Sequence, residues 1–403
     1  MWPVGREDNK GSRLKLITNR RTFIAGSLGL GASTLGIPRP SGPCRFLPSL
    51  GQPCQAVRSV SIQQPAFAII PVVYDGKWNW KNPPEGSTGY LEPRDFEVSV
   101  GMSFTGRGFG NNLRATTVTP VGFPEQEILD FQIETQGCSA KILPINAGAA
   151  QLALSAGSLA AGQTVFAIAR YKLRVTKVFQ GYQKEQFPAG QEQLEIFSSR
   201  YLRNSPGIKA NSKLVSELVT KITSANMHPW DKAVKFQQWV WENIQGVAGR
   251  YTSVEEAIRE QTGDCEERAC VFIALCRAAG IPARQVWVPS HVWAEIGLHD
   301  REGRPCWIPV HTAAYNWFGW TGAHEIVLQK GDYIRIGHRK RTVRLIDDWY
   351  QLNGPKPDMY YSAQVKPVAP AGYDAGPGAR SKLPDGRWEL AGNHPDNKHM
   401  RDK

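Results

Sequence analysis

Residues 261–284 read QTGDCEERACVFIALCRAAGIPAR, and the fold turns on them. Asp264 and Glu267 stand three apart ahead of an apolar-periodic run, which is the spacing of a capping box. Asp264 is therefore the expected N-cap and Cys265 the first helical residue. Gly280 suits the left-handed position that closes a helix, and Pro282 stops its continuation. Cys265, Ala269, Phe272 and Cys276 share one face of this helix, the side along which it is expected to pack.

The position of the cysteine carries chemistry. A thiol at a helix N-terminus meets unpaired N–H groups and the positive end of the dipole, which favour thiolate over thiol. The same N–H groups can stabilise an oxyanion formed when the sulfur attacks a carbonyl. The competing reading is a half-buried thiol that merely packs at a helix start. A base would decide between them, and SHVWAEI, residues 290–296, offers His291 at the head of an alternating strand pattern through Trp293 and Glu295.

Outward from this core the periodicity divides the chain. Residues 195–352 carry helical spacing in SKLVSELVTKI, where Leu214, Leu218 and Ile222 recur. PWDKAVKFQQWVWENI follows, and then SVEEAI, in which Ser253 and Glu256 form a second capping-box pair. Residues 66–190 instead alternate with a period of two, as in DFEVSVGMSF, ILDFQIE and YKLRVTK. Turn clusters such as TGRGFGNN and SAGSLAAGQ separate these strands, and an antiparallel β-sandwich is expected. The glycines of TGRGFGNN are read as a hairpin turn, because a strand and not a helix follows them. The fold class expected is thus α+β. Residues 41–65, rich in Pro, Gly and Gln, read as a linker, and residues 353–403 as a disordered tail.

GDCEERACVFIALCRAAGIPAR followed by HVWAEI and CWIPV resembles the core of the transglutaminase-like superfamily, with the likeness running from about residue 195 to 315. The resemblance implies a papain-like core, a helix bundle packed on a small antiparallel sheet. It also implies a Cys-His-Asp triad whose cysteine attacks an amide or ester carbonyl. Carried over by residue, Cys265 is the nucleophile and His291 the base. At the place of the aspartate the chain reads CWIPVHTAAYNWFG, which puts His311 there. A neutral histidine can orient an imidazole but brings no negative charge, and Asn316 is the other candidate orienter. In cross-linking relatives a tryptophan upstream of the cysteine donates to the oxyanion, which points to Trp230. Sandwich domains precede the catalytic domain in this superfamily as well.

Two functions stay open on these residues. One is a cysteine hydrolase or acyltransferase working on amide bonds of peptides or proteins, possible substrates including the cell envelope. The other is a binding or scaffolding protein that has kept the fold with a degenerate triad. Hydrolysis and acyl transfer share one acyl-enzyme, so the sequence does not choose between them.

The totals bound the rest. The chain has 403 residues, enough for two domains with cores, and a formal charge of +12. No basic stripe interleaved with aromatics is present, so a nucleic-acid partner is not expected. Residues 1–40 hold Arg6, Lys10, Arg13, Lys15, Arg20, Arg21 and Arg39 against Glu7 and Asp8. Arg20-Arg21 with Phe23 precede a mild Gly-rich apolar run, which resembles a twin-arginine signal. That implies a bacterial protein exported to the periplasm or beyond by the twin-arginine machinery. Seven cysteines leave at least one thiol unpaired in such a compartment; Cys44 and Cys54 could pair across a short loop. No motif implies a cofactor. A zinc site from His291, His311 and Cys265 has suitable ligand types, but needs two strands and a helix end to converge, and no metal is expected.

Overall fold

The computed structural model describes residues 88–146, 148–190, 199–247, 251–289, 291–313, 318–321, 324–336 and 341–368. The signal-like segment 1–40, the linker 41–65, the Cys44–Cys54 pair and Asn316 lie outside the described residues. Among the described residues, no helix is long and apolar enough to cross a membrane.

The molecule is mixed α/β, strand-rich with few helices. Six long strands come first: β1 (Gly89–Thr105), β2 (Gly110–Thr119), β3 (Gln126–Gln136), β4 (Ser139–Asn146), β5 (Ala149–Leu159) and β6 (Thr164–Phe179). Four helices follow, α1 (Lys213–Ile222), α2 (Pro229–Asn243), α3 (Val254–Glu260) and α4 (Cys265–Ala278). Short parallel strands β7 (Gln245–Gly246) and β8 (Thr262–Gly263) flank α3. The chain then makes β9 (Ala283–Val288), β10 (His291–His299), β11 (Pro305–Val310), β12 (Gln329–Lys330), β13 (Ile334–Ile336) and β14 (Arg341–Val343). It returns through β15 (Trp349–Asn353) and β16 (Asp358–Pro367).

Two sheets dominate. One has the order β16-β1-β6-β3; the other runs β11-β10-β9-β12-β5-β2-β15, with β4 also on β5. The inward residues of β1, from Phe96 through Val98, Val100 and Met102 to Phe104, are all buried. They meet Leu113, Leu152 and Leu154 of the opposite sheet in one apolar cluster, as the period-two pattern requires. TGRGFGNN does not close a hairpin. β1 and β2 belong to different sheets, so the turn carries the chain from one layer to the other. Gly106 allows the crossing: a Cβ there would lie 2.1 Å from the Ala160 carbonyl oxygen.

Two expectations about boundaries need correction. The expected tail begins at 353, yet β16 is a ten-residue strand paired along β1 from Phe96↔Pro367 to Thr105↔Asp358. Its alternation is weak because most of its residues are half-buried or exposed, which hides an edge strand from a periodicity reading. The border between units at about 190–195 is also crossed twice. Gln329 of β12 pairs with Ala149 of β5 and with Trp287 of β9, which makes one continuous sheet of both halves. Ile326, Leu328, Ile334, Ile336, Val343 and Ile346 then fill the core of the first half.

α4 is the hub of the second half. Every residue of α4 from Glu267 to Arg277 is buried, not one face alone. The reason is topological: α1, α2, α3, β9 and β10 all pack on it. Its ends match the sequence, with Asp264 as N-cap in a reciprocal box with Glu267 and Gly280 at φ +79°.

Candidate active site

Cys265 is the first residue of α4. Asp264 accepts from the Glu266 N–H at 2.8 Å, while Glu267 accepts from Asp264 N–H at 2.9 Å and from Thr252 N–H at 3.0 Å. Such a box holds the helix start to about 0.5–2 kcal/mol. The Asp264 carboxylate also takes the Glu267 N–H. Two of the donors that were expected to face an oxyanion are therefore occupied by a side chain. Cys265 packs with Trp287 on a cluster of Ala269, Val292 and Leu345. The Val292 backbone N–H points to the thiol, so the nucleophile position touches the strand that His291 begins.

β10 fixes the base. It pairs with β9 from His291↔Val288, and with β11 from Ala294↔Val310 onward. Side chains alternate along a strand, so His291, Trp293 and Glu295 share a face. His311 follows the end of β11, with its backbone carbonyl held by Gln237 Nε2 at 2.9 Å. Its ring stacks on Trp293 at 5.0 Å between centroids and 13° between planes, and on His291 at 5.6 Å and 23°. A stacked ring presents its face, whereas an orienting hydrogen bond runs in the ring plane. His311 thus braces His291 by packing.

A carboxylate from another part of the chain lies close to these rings. Glu325 Oε2 lies 3.7 Å from His311 Nε2. One donor atom each from His291, His311 and Glu325 all lie within 4.8 Å of one another. Sequence reasoning missed Glu325, which sits between β11 and β12 with no motif around it. The splice of β12 into the shared sheet is what delivers it. Trp287 and Trp293 were missed as well, because a tryptophan on a strand reads as core. Trp230 stacks on Phe187 at 5.5 Å and meets Phe318 edge-on at 4.9 Å.

Burial dominates the electrostatics. It pushes the Cys265 thiol up to about 12; the Asp264, Glu266 and Glu267 carboxylates add to this, and the Val292 N–H opposes it. Burial likewise lowers His291 against the pull of Glu325 and Asp264, and lowers His311 well below the usual imidazole range, with His291 adding to the effect. Glu325 is raised to about 7 by burial, against His291 and the Trp293 indole. The resting pair is therefore neutral thiol and neutral imidazole. Burial, joined by the Asp264, Glu266 and Glu267 carboxylates, opposes the thiolate expected from the helix dipole, which contributes about 0.3–1 kcal/mol. Iodoacetamide should accordingly alkylate Cys265 slowly at pH 7. Its thiolate fraction is on the order of a thousandfold below that of a free cysteine, whose pKa is about 8.5. Fast labelling below pH 7, measured by mass spectrometry of the residue-265 peptide, would show a resting ion pair instead.

Residues 216–312 match the family model described as the transglutaminase-like superfamily. The matched segment carries Cys265, His291 and His311. An uncharacterised protein of Haemophilus influenzae is 33% identical over 101 residues, which is 24% of this chain and 27% of that protein. The chain thus spans about a quarter of that relative's length. Among solved structures, a proposed cysteine protease from Cytophaga hutchinsonii is 16% identical, covering 69% of this chain and 92% of its own, with a TM-score of 0.47. A proposed protease from Parabacteroides distasonis is 12% identical, covering 57% and 48%, with a TM-score of 0.22.

Proposed function

We propose that the protein is a cysteine enzyme of transglutaminase-like type that cleaves or transfers the acyl group of an amide bond in peptides or proteins. One observation carries this reading. The thiol at the head of α4 meets Val292, the neighbour of His291, while a half-buried carboxylate stands beside that histidine. Neutral His291 takes the thiol proton as Sγ attacks the carbonyl carbon. The tetrahedral oxyanion collapses when His291 returns that proton to the leaving amine, which leaves a thioester on Cys265. Water or a second amine then releases the acyl group. Glu325 stabilises the imidazolium that forms in between, a charge that neither His311 nor Asn316, the orienters expected from sequence, supplies.

The two-sheet unit is read as a β-sandwich that carries the papain-like core. The basic, twin-arginine-like leader is read as an export signal, which places the enzyme and its peptide substrates outside the bacterial cytoplasm. A non-catalytic binding protein is the second reading, favoured by His311 at the usual acid position and by the protonated thiol. Incubation with a p-nitrophenyl ester, followed by rapid acid quench and mass spectrometry, separates the two. An acyl adduct on Cys265 of the wild type, lost in His291→Ala, is expected. Steady release of nitrophenol that persists unchanged in Cys265→Ala would sink the enzyme reading.

A further inference from the structure

The cluster behind the nucleophile has the composition of a metal site. It contains two imidazoles and one carboxylate, drawn from β10, the end of β11 and the segment before β12. In a tetrahedral zinc site with Zn–N and Zn–O bonds of about 2.0–2.2 Å, neighbouring donor atoms stand about 3.3–3.6 Å apart. His311 Nε2 and Glu325 Oε2 are 3.7 Å apart, close to that bite, and the His291 donor lies within 4.8 Å of both. A small rotation of His291, the one partly exposed imidazole, closes the remaining gap. His311 is held firmly: it is 2% exposed, stacked on Trp293 and tethered through its carbonyl to Gln237. Cys265 is not a member of this donor set, so the convergence differs from the His-His-Cys arrangement considered from sequence.

We infer that His291, His311 and Glu325 form a binding site for a borderline divalent cation of the Zn²⁺ type, and that occupancy switches the enzyme off. The N₂O donor set suits zinc, cobalt and nickel better than calcium or magnesium, which prefer oxygen throughout. Three protein ligands leave a fourth position open to water. A neutral imidazole has one basic lone pair, so metal on either ring nitrogen of His291 leaves the other nitrogen protonated and unable to accept the thiol proton. The metal-loaded protein therefore lacks its base and regains it when the metal leaves. Cation binding stands on geometry alone; only the inhibitory consequence rests on the cysteine reading above.

The test titrates the full-length, chelator-treated protein with ZnCl₂ against a chromophoric chelator, and repeats the titration with CoCl₂ while recording the visible spectrum. One tight site is expected in the wild type, and its cobalt bands carry no thiolate charge-transfer absorption. Glu325→Gln and His311→Ala should each weaken that site by more than the roughly 10–100-fold that loss of an outer partner costs. Cys265→Ser should leave it intact. His311→Ala removes a buried side chain, so its fold is checked by circular dichroism, and Glu325→Gln serves as the near-isosteric variant if it does not fold. Equal zinc affinity in wild type and Glu325→Gln, or loss of the site in Cys265→Ser with a sulfur-to-cobalt band in the wild type, overturns the assignment. If zinc binds as described but nitrophenyl ester turnover is unaffected, the site stands and the inhibitory consequence falls.

Discussion

Cys265→Ala is expected to reduce acyl-ester turnover to background, a loss on the order of 10⁵–10⁶ in kcat, while the thermal transition stays within a few degrees of wild type. The magnitude follows from how nucleophile and base act as a unit. Removing either member of such a pair costs about as much as removing the whole set, on the order of 10⁶. The helix start does not depend on the sulfur, because Asp264, Glu267 and Thr252 make its capping bonds. His291→Ala should fall to a similar floor. Glu325→Gln should fall less, on the order of 10², because a carboxylate in direct contact with the imidazole is worth about 10⁴ and Glu325 stands up to 4.8 Å off. The graded order is the informative part. If Glu325→Gln matches wild type while Cys265→Ala is dead, the enzyme reading holds and the assignment of its third member fails.

What the sequence disclosed follows how local each cause is. The start of α4 was legible because a capping box lies within four residues, and Asp264, Cys265 and Glu267 take the places it dictates. The strand headed by His291 was legible for the same reason: alternation and a short turn are local signals. The inter-sheet route of TGRGFGNN was not, since a glycine-rich turn looks alike whether the next strand pairs with the last one or crosses to another layer. Glu325 was hidden for a deeper reason. It reaches the site because β12 is inserted between β5 and β9, which pairs Gln329 with Ala149 far away in sequence. The same insertion hid the true extent of the first half, whose core borrows Ile326 to Ile346. The environment of the thiol is likewise not local: burial against Val292, Leu345 and Trp287 pushes the thiol up, a cause that a helix-end rule does not see.

Arg277→Met is expected to destabilise the fold by about 3–5 kcal/mol, the cost of leaving one member of a buried ion pair without its partner. The Arg277 side chain is 0% exposed and that of Asp332 1%. Both Asp332 oxygens accept from Nη2 at 2.8 Å. Nε and Nη2 donate to the Ala283 carbonyl at 3.0 and 2.7 Å, and Nη1 donates to the Arg203 carbonyl and Ser205 Oγ, each at 3.0 Å. Asp332 also accepts from the Gln285 N–H at 3.1 Å. One guanidinium thereby ties the end of α4 to the start of β9, to the segment ahead of α1 and to the chain just after β12. Methionine fills the volume but satisfies none of these groups, so a charge and two carbonyls are left buried. At roughly 2–4 °C per kcal/mol for a body of this size, the melting temperature should fall by on the order of 10 °C. Pairing the change with Asp332→Leu should recover part of the loss, because the uncompensated charge is then gone, while the orphaned carbonyls keep recovery incomplete. A loss under about 1 kcal/mol in Arg277→Met, measured by urea unfolding, would mean that water reaches the site and the network is not closed. The consequence for chemistry is direct. Arg277 sets the axis of α4 against β9, β9 carries β10 in register, and that register places Cys265 beside the strand of its base.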